Sequence, residues 1–468
     1  METPLTPLEF ARRARKLYPE QIAVIDGESR WSYAQFLDRC DRWSAVLQRL
    51  GVGAGDRVAY LAPNTHAQLE SFYSVPQLGA VLVPLNFRLT ADDFLYLINH
   101  SGARGEANDW LNYEALLQAS SAEFVRPEIH ETDLLTINYT SGTTSRPKGV
   151  MITHRNAWMN SIGTLVHQSM TCADRYLWTL PMFHANGWTF VWTITAVGAT
   201  HVCLPKIEPR AIFELMAREQ ITMLCAAPTV LISLANAPED VRHLAPKGIR
   251  VVTAGAPPAA STIQRLEEEL GWTITHAYGL TETAPFITVC EHRPEHERLS
   301  VSERAAIKAR QGVELITSGE LCVIGADGNE VPRDGITQGE IVARGNVIMA
   351  GYYNDKKATE GALHGGWFHT GDAAVVHPDG YIEIRDAVQE VAIVGLPHER
   401  WGEAPHAFVV LRQGAQTDEA ELREFARANL AHFKAPHSVT FVKELPKTAT
   451  GKIQKYILRG RATAIAPQ

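Results

Sequence analysis

A ten-residue segment of the chain concentrates side chains and backbone suited to binding phosphate. Residues 140–149 read TSGTTSRPKG and contain two glycines, five hydroxyl side chains and Lys148. Glycine permits close approach of the backbone, amide and hydroxyl groups donate hydrogen bonds to phosphate oxygens, and lysine adds a positive charge. A strand is predicted immediately before the segment, over residues 134–139. The pattern therefore predicts a phosphate-binding loop at the end of a strand.

Four better-known patterns are excluded by their local sequence. The P-loop pattern G-x-x-x-x-G-K-[ST] is absent, which disfavours a P-loop kinase or ATPase. Residues 145–148 have the S-x-x-K spacing of penicillin-binding enzymes but lack the companion S-D-N and K-T-G motifs. Residues 292–296, HRPEH, have the spacing of a zinc site, but Pro294 would break the helix that aligns two ligands. The glycines of residues 51–55 precede a strand, unlike a dinucleotide-binding loop.

Composition and charge indicate an ordinary globular protein. The 468 residues suggest two to four domains, and 45% of them are hydrophobic. With 44 Lys and Arg against 52 Asp and Glu, the net charge of −8 disfavours nucleic-acid binding. The six cysteines are scattered without a C-x-x-C pair, which excludes a disulfide scaffold and a common zinc site.

The sequence favours a cytoplasmic protein without a membrane span. The first sixteen residues carry several charges and lack the apolar stretch of a signal peptide. The longest uncharged run, residues 176–205, contains Thr, Asn, Gly and His. We expect it to form a buried helix and strand rather than a transmembrane helix.

The order of predicted elements indicates an α/β fold. Over the first two-thirds of the chain, short apolar runs alternate with amphipathic stretches, which is typical of α/β layers with largely parallel sheets. Strands are predicted at 57–62, 80–85, 134–139, 221–226, 249–253 and 272–276. Glycine-punctuated runs from about residue 320 predict a small β-subdomain. We expect a large N-terminal domain over residues 1–386 and a small α+β C-terminal domain over 387–468.

Five motifs in fixed order identify a family. They are TSGTTSRPKG at 140–149, TAGAPP at 253–258, YGLTET at 278–283, TGD at 370–372 and PKTATGK at 446–452. On these motifs the chain resembles the adenylate-forming superfamily of acyl- and aryl-CoA synthetases, adenylation domains of peptide synthetases and firefly-type luciferases. The resemblance covers essentially the whole chain and implies a mobile C-terminal domain.

The resemblance implies ATP as a co-substrate and assigns residues to each part of it. The β- and γ-phosphates would be held by the first motif, through Thr140, Ser141, Gly142, Thr143, Thr144 and Lys148. The adenine would lie between a backbone wall and an aromatic ring, formed by Gly255, Ala256, Pro257, Tyr278 and Gly279. Asp372 would accept hydrogen bonds from both ribose hydroxyls. A core tyrosine and a solvated turn aspartate are the alternatives for Tyr278 and Asp372.

Three further residues would act at the reacting phosphate. By resemblance, Thr281 would contact the α-phosphate, and Glu282 would bind Mg²⁺ together with Thr140, since oxygen ligands are those that Mg²⁺ prefers. Lys452 would bridge the substrate carboxylate and the α-phosphate. Such electrostatic stabilisation is usually the largest catalytic contribution.

The implied reaction has two halves. A carboxylate attacks the α-phosphorus of ATP to give an acyl-adenylate and pyrophosphate, and a thiol then displaces AMP. In the family the C-terminal domain rotates between these halves. The chain ends sixteen residues after Lys452, so we expect coenzyme A rather than a tethered carrier as the thiol. An adenylation enzyme that loads a separate carrier protein and a nucleotide-binding relic are the alternatives, and a homodimer is implied by the family alone.

The acid is assigned to a second region. Residues 180–188, LPMFHANGW, resemble the segment of fatty-acyl-CoA synthetases and their short-chain relatives. His184 would lie between the acyl pocket and the CoA tunnel, Trp188 would line or gate the pocket, and Gly255 and Gly279 would border it. A core histidine is the alternative for His184. The absence of a nearby acidic residue argues against amino acids, so we predict a fatty acid of short to long chain, with an aryl acid as the alternative.

The chain departs from the family at two junctions. After Arg104, relatives carry a further strand and helix; after Asp386, they carry an arginine that contacts ribose, a hinge residue and a glycine-rich loop along the CoA channel. No hinge residue and no CoA loop are therefore assigned. Either these segments belong to the intact chain and are missing from the 468 residues, or they are true deletions. The first hypothesis is preferred because the nucleotide motifs and Lys452 are present, and an intact mass would decide.

Overall fold

The computed structural model describes residues 2–103, 111–140, 147–385, 388–398, 402–411, 417–429, 435–446 and 457–460. The chain forms two compact units. The larger comprises residues 1–140, 148–371 and 375–383, and the smaller comprises 141–147, 372–374 and 384–468.

The strands of the described residues are short, as the predicted apolar runs suggest. They are β1 Ile22–Asp26, β2 Ser29–Ser32, β3 Arg57–Tyr60, β4 Val81–Pro84, β5 Leu134–Thr140, β6 Lys148–Thr153, β7 Arg175–Leu177, β8 Thr200–Val202, β9 Met223–Cys225, β10 Arg250–Thr253, β11 Thr273–Gly279, β12 Phe286–Val289, β13 Val313–Glu314, β14 Glu320–Ile324, β15 Gly339–Arg344, β16 Gly351–Tyr352, β17 Leu363–His364, β18 Trp367–Val376, β19 Ile382–Ile384, β20 Val388–His398, β21 Gly402–Leu411 and β22 Ser438–Phe441.

The helices between them are mostly short, and five of those described are capped by a hydroxyl side chain, that of Ser32, Thr65, Thr90, Thr153 or Ser300. They are α1 Leu8–Leu17, α2 Tyr33–Arg49, α3 His66–Ser74, α4 Ala91–Ser101, α5 Tyr113–Gln118, α6 His154–His167, α7 Ala185–Trp188, α8 Phe190–Val197, α9 Pro209–Glu219, α10 Pro228–Ala235, α11 Glu239–Arg242, α12 Ala260–Leu270, α13 Val301–Lys308, α14 Lys356–Ala362 and α15 Glu419–Asn429. Three single 3₁₀ turns lie at Pro76–Leu78, Thr281–Thr283 and Pro294–Arg298.

Two large sheets organise the larger unit. The nine-stranded sheet has the order β13-β12-β11-β10-β9-β7-β8-β1-β2, and its middle, from β11 to β1, is parallel. Its edge strands pair antiparallel, as β12 does with β11 and β2 with β1. The second sheet has the order β16-β6-β5-β4-β3. The predicted α/β class is confirmed, with parallel strands at the centre of the nine-stranded sheet.

A third sheet forms the predicted β-subdomain. It contains β14, β15, β18 and β17 in that order, with β19 paired to β18. In the smaller unit, β20 and β21 pair antiparallel over ten residues or more and β22 joins β21 in parallel. Ala392, Val394 and Phe408 form a small apolar core there.

The uncharged run at 176–205 is buried inside the larger unit. It forms the end of β7, then α7, α8 and β8, and Trp178, Phe190 and Trp192 in it are almost completely buried. The expectation of a buried helix and strand is confirmed. Across the part of the chain that the structure describes, we find no helix with the length and apolar character of a membrane span.

Candidate functional site

Strands β5 and β6 flank the predicted phosphate loop in the sequence. These strands are antiparallel, with Thr140 opposite Lys148. Lys148 therefore begins a strand rather than lying within the loop. Ser141, Gly142, Thr143 and Thr144 lie outside the described residues.

Gly149 has a packing role that the motif did not suggest. A Cβ atom there would lie 2.9 Å from Ile137 Cγ2 and 3.2 Å from Tyr139 Cε1. Since Ile137 and Tyr139 are on the partner strand, the glycine allows the hairpin to close tightly behind the loop.

A tyrosine missed in the sequence connects two of the predicted residues. The ring centre of Tyr352 lies 4.7 Å from Lys148 Nζ. Its hydroxyl donates a 2.8 Å hydrogen bond to Glu282 Oε1. Burial and the neighbouring Glu282 carboxylate raise the pKa of the Tyr352 hydroxyl, so it stays protonated and remains a donor. The structure thus places Lys148 over the ring of Tyr352 and Glu282 at its hydroxyl.

The YGLTET motif joins the end of β11 to a 3₁₀ turn at Thr281–Thr283. Leu280 N donates to Thr283 Oγ1 over 2.9 Å, and Asn160 Nδ2 donates to the carbonyl oxygen of Thr283 over 3.2 Å. A Cβ atom at Gly279 would lie 1.9 Å from the Pro285 carbonyl oxygen. Only glycine fits at this position without movement of the backbone. Thr281 and Glu282 themselves are half-buried.

The TAGAPP and YGLTET motifs follow neighbouring parallel strands. β10 pairs with β11, with Thr253 opposite His276, so both motifs lie at the carboxyl edge of the nine-stranded sheet. Ligands of α/β proteins bind at this edge. Gly255 and Ala256 are exposed, and Tyr278 is nearly buried at 9% exposure.

The predicted acid residues lie at the same edge. A Cβ atom at Gly255 would lie 3.8 Å from Trp188 Cζ2, and the Trp188 and Phe286 ring centres are 5.8 Å apart in an edge-to-face arrangement. Trp188 is 4% exposed. His184 precedes it and is exposed, which distinguishes it from a core histidine. Desolvation by the surrounding protein nevertheless lowers the pKa of His184, so its imidazole is neutral at neutral pH.

Two predicted residues, Asp372 and Lys452, belong to the smaller unit. Asp372 is half-buried in β18 and groups with the smaller unit. Lys452 lies outside the described residues.

The oxygen ligands predicted for Mg²⁺ fit a cation that is also bound by nucleotide. Glu282 would supply a carboxylate and Thr140, at the end of β5, a hydroxyl. Within the described ranges, no group of three or more His, Cys, Asp or Glu side chains is arranged to hold a metal ion. Mg²⁺ typically uses one or two carboxylates together with substrate phosphates and waters, which suits this sparse set.

Two family profiles cover most of the sequence. The profile "AMP-binding enzyme" matches residues 10–353, and "AMP-binding enzyme C-terminal domain" matches residues 384–452. The chain belongs to the AMP-binding enzyme family. The predicted adenylate-forming superfamily is confirmed, and so is the class of AMP-forming acid–CoA ligases.

Relatives of known type align over almost the full chain. A 4-hydroxybutyrate–CoA ligase of Metallosphaera sedula is 38% identical, with 99% of this chain and 95% of that protein covered. The butyrate–CoA ligase of Arabidopsis thaliana peroxisomes is 35% identical, with 99% and 94% covered. The alignment with the first spans 526 positions against 468 residues here, so that relative carries segments that this chain lacks.

Solved structures have the same fold. A fatty acyl-CoA synthetase of Mycobacterium tuberculosis is 27% identical with a TM-score of 0.77, and 99% of each chain is covered. The ATP-bound MatB of Rhodopseudomonas palustris is 26% identical with a TM-score of 0.73, with 98% of this chain and 99% of that chain covered.

Proposed function

We propose that this enzyme is an AMP-forming CoA ligase for short alkyl carboxylic acids, of the size of acetate to 4-hydroxybutyrate. The observation that carries the proposal is Trp188. Its indole is buried against Phe286 and beside Gly255, so it occupies space that a long acyl chain would need. The relatives named for acetate, butyrate and 4-hydroxybutyrate support the same range.

Adenylation would proceed at the carboxyl edge of the nine-stranded sheet. The acid carboxylate attacks the α-phosphorus, and pyrophosphate leaves toward the β5–β6 hairpin, where Lys148 offsets its charge. Thr281 donates to the α-phosphate, and Tyr352 holds one carboxylate oxygen of Glu282. Bound Mg²⁺ would supply charge neutralisation of the phosphates, with Glu282 and Thr140 as its protein ligands. Positioning and charge carry such a step, with little acid–base chemistry.

The thiol step would use the neutral side chain of His184. CoA sulfur attacks the acyl carbon of the adenylate, and AMP is the leaving group. His184 is exposed and its lowered pKa keeps it uncharged, so it can orient the thiol without adding charge beside the acyl group. We propose Tyr278 and Asp372 as the adenine and ribose contacts, and Lys452 as the lysine that joins carboxylate and α-phosphate during adenylation.

AMP release tests the proposal directly. The wild-type enzyme is supplied with ATP, Mg²⁺ and acetate, butyrate, 4-hydroxybutyrate, octanoate, palmitate or benzoate, with and without CoA. We expect CoA-dependent AMP release that is fastest with the short acids. Turnover with palmitate or benzoate instead would overturn the short-acid assignment. CoA-independent pyrophosphate release would favour a carrier-loading enzyme, and ATP binding without turnover would favour a relic.

Substitution of Trp188 by alanine tests its role in acid selection. Removing the indole opens space beside Gly255, so kcat/KM for octanoate relative to butyrate should rise by about tenfold or more, since each methylene buried is worth roughly 0.8 kcal/mol. Trp272, which is also buried but packs on Phe213 away from this edge, is the matched control. Trp272→Ala should lower stability and leave the ratio unchanged. An unchanged ratio in Trp188→Ala would contradict the assignment.

A further inference from the structure

The segment that carries the predicted acid residues adopts an unusual backbone conformation. Five consecutive residues have left-handed φ values, namely Ala185 at 35°, Asn186 at 48°, Gly187 at 54°, Trp188 at 51° and Thr189 at 68°. For residues other than glycine this conformation costs roughly 1–2 kcal/mol each. A stretch of this kind persists only where surrounding contacts determine it.

A buried polar network around Asn186 supplies those contacts. Asn186 Oδ1 accepts a 3.0 Å hydrogen bond from Asn138 Nδ2, and Asn186 Nδ2 donates to Thr136 Oγ1 over 2.8 Å. Asn186 Nδ2 also lies 3.2 Å from Asn138 Oδ1, which in turn accepts from Thr136 Oγ1 over 2.7 Å. The three side chains are between 0% and 3% exposed. Every amide atom of Asn186 is thus used inside the protein.

Further contacts hold the two ends of the turn. Asn138 Nδ2 donates to the Phe183 carbonyl over 3.3 Å, just before the turn. Thr189 and Ser161 share a 2.7 Å hydroxyl–hydroxyl hydrogen bond at its end. A Cβ atom at Gly187 would lie 2.6 Å from Trp178 Cζ3, so the middle of the turn packs against that ring. The conformation therefore depends on contacts from several elements.

The network joins the two halves of the candidate site. Thr136 and Asn138 lie on β5, which ends at Thr140, the first residue of the phosphate motif. Asn186 lies between His184 and Trp188. One set of hydrogen bonds therefore connects the strand that leads to the phosphate motif with the turn that presents the acid-side residues.

We propose that Asn186 is a positioning residue that, through Asn138 and Thr136, holds the left-handed turn and so determines where His184 and Trp188 lie for the acid and the thiol. The inference rests on the proposed CoA-ligase function and names what fixes its acid side. Hydrogen bonds are directional, so those between Asn138 and Asn186 fix one position of the turn relative to β5. Apolar packing alone would not fix that position. Removing one partner leaves buried polar atoms unsatisfied.

The test compares Asn186→Ala and Asn186→Gly with the wild-type enzyme. Glycine adopts left-handed φ freely but lacks the amide, so it separates backbone conformation from the hydrogen bonds. We expect both variants to raise KM for the acid and for CoA by about tenfold, the effect of losing buried hydrogen bonds, with KM for ATP within about twofold of wild type. Wild-type constants in Asn186→Gly, or an equal rise in KM for ATP, would overturn the proposal.

A double-mutant cycle tests the partnership. Asn138→Ala should reproduce the Asn186→Ala phenotype, and the double variant should be no worse than the worse single variant, because residues of one network are not additive. Effects that multiply would overturn the coupling. Thr136→Val, of nearly the same shape, removes only the Oγ1 hydrogen bonds and should raise KM for the acid about threefold. If the alanine variants do not fold, Thr136→Val still tests the partnership.

Two controls separate this inference from the proposed function. Gln77 is another buried amide, and its Nε2 donates a hydrogen bond to the Cys40 carbonyl oxygen over 3.2 Å. Gln77→Ala should lower Tm without changing the ratio of KM for the acid to KM for ATP. This ratio is measured with whichever acid the wild type uses. The test of Asn186 therefore stays valid even if the proposed substrate class is wrong. Hydrogen exchange of a peptide over residues 183–190 should be faster in Asn186→Ala but not in Gln77→Ala, and this readout needs no turnover. Unchanged exchange would overturn the proposal.

Discussion

The acid side and the nucleotide side of the candidate site are built in different ways. On the acid side, Trp188 lies on a left-handed turn that is held by neutral amide and hydroxyl groups. On the nucleotide side, a regular hairpin and a 3₁₀ turn present Lys148 and Glu282, which are joined through the Tyr352 ring and hydroxyl. One side relies on five consecutive left-handed residues fixed by hydrogen bonds, and the other on a hairpin and a 3₁₀ turn that carry charged side chains.

This difference predicts different responses to substitution. The left-handed turn is costly on its own, so loss of its hydrogen bonds should move its side chains and change the choice of acid. The nucleotide side has less strain to release, since its 3₁₀ turn is followed by one left-handed residue, Ala284 at 59°. It depends instead on glycines that leave room for neighbouring backbone and on the hydrogen bond that holds Glu282. Substitutions at these positions should impair the binding and use of ATP and Mg²⁺.

The largest effect is expected from Gly279→Ala. The added Cβ atom would lie 1.9 Å from the Pro285 carbonyl oxygen and 2.9 Å from Phe286 Cα, and backbone atoms cannot rotate away. The turn that carries Thr281 must shift, and a displacement of about 1 Å can cost roughly 100-fold in rate. We expect acid-dependent pyrophosphate–ATP exchange to fall by at least about 100-fold.

A glycine with open space around it provides the control. No heavy atom lies within 4 Å of a Cβ atom built at Gly361 in α14. Gly361→Ala should keep wild-type exchange. If Gly279→Ala retained a rate close to wild type, the nucleotide side would tolerate substitution of its glycines, which would contradict the comparison.

Tyr352→Phe should have an intermediate effect. The change removes the hydrogen bond to Glu282 but keeps the ring beside Lys148. A hydrogen bond to a charged group contributes about 1.5–3 kcal/mol, so KM for MgATP should rise about tenfold or more, while KM for the acid stays the same. Isothermal titration of MgATP in the absence of acid would measure the same loss without turnover.

Two further variants sharpen this prediction. Tyr352→Leu loses both contacts and should weaken MgATP binding more than Tyr352→Phe. The adjacent Tyr353→Phe is the control, since the Tyr353 ring packs on His100 with centres 6.1 Å apart. A rise in KM for the acid in Tyr352→Phe would mean that the two sides are not separable as described.

Local sequence patterns predicted these strands well, because the apolar residues that each strand buries lie within the strand itself. The strand predicted at 134–139 is observed at Leu134–Thr140, and that at 249–253 at Arg250–Thr253. The strand predicted at 272–276 is observed at Thr273–Gly279, because pairing with β12 extends it into the YGLTET motif. The extension depends on the partner strand β12, which the pattern of β11 by itself does not contain.

The ordered motifs located the candidate residues but not the side chains that support them. Tyr352 is 70 positions from Glu282, and Asn186 is 48 from Asn138, so neither contact has a local signature. One signal was available for Asn186. Asparagine is among the few residues that enter the left-handed region readily, and here it is followed by glycine in LPMFHANGW.

The smallest expected effect is a pH dependence of the free energy of unfolding. It distinguishes the neutral hydrogen bonds of the acid-side turn from an ion pair elsewhere in the protein. His66 contacts Asp26 at 2.6 Å and Glu114 at 3.1 Å. Burial alone would lower the pKa of His66, but the hydrogen bonds to Asp26 and Glu114 and the charge of Glu70 outweigh it and raise the pKa. A raised pKa means that the stabilisation is complete below the ordinary value of about 6.5 and is lost as pH rises through the raised value.

We therefore expect the free energy of unfolding of the wild type to fall slightly, by under about 1 kcal/mol for a partly exposed pair, as pH increases from about 6 to about 9. In His66→Gln that part of the slope should disappear. Asn186→Ala should keep the wild-type slope, because amides and hydroxyls do not titrate, even though its stability is lower at every pH. Urea unfolding at several pH values measures all three. If Asn186→Ala also lost the slope, the acid-side turn would depend on a titrating group and would not be the neutral structure that distinguishes it from the nucleotide side.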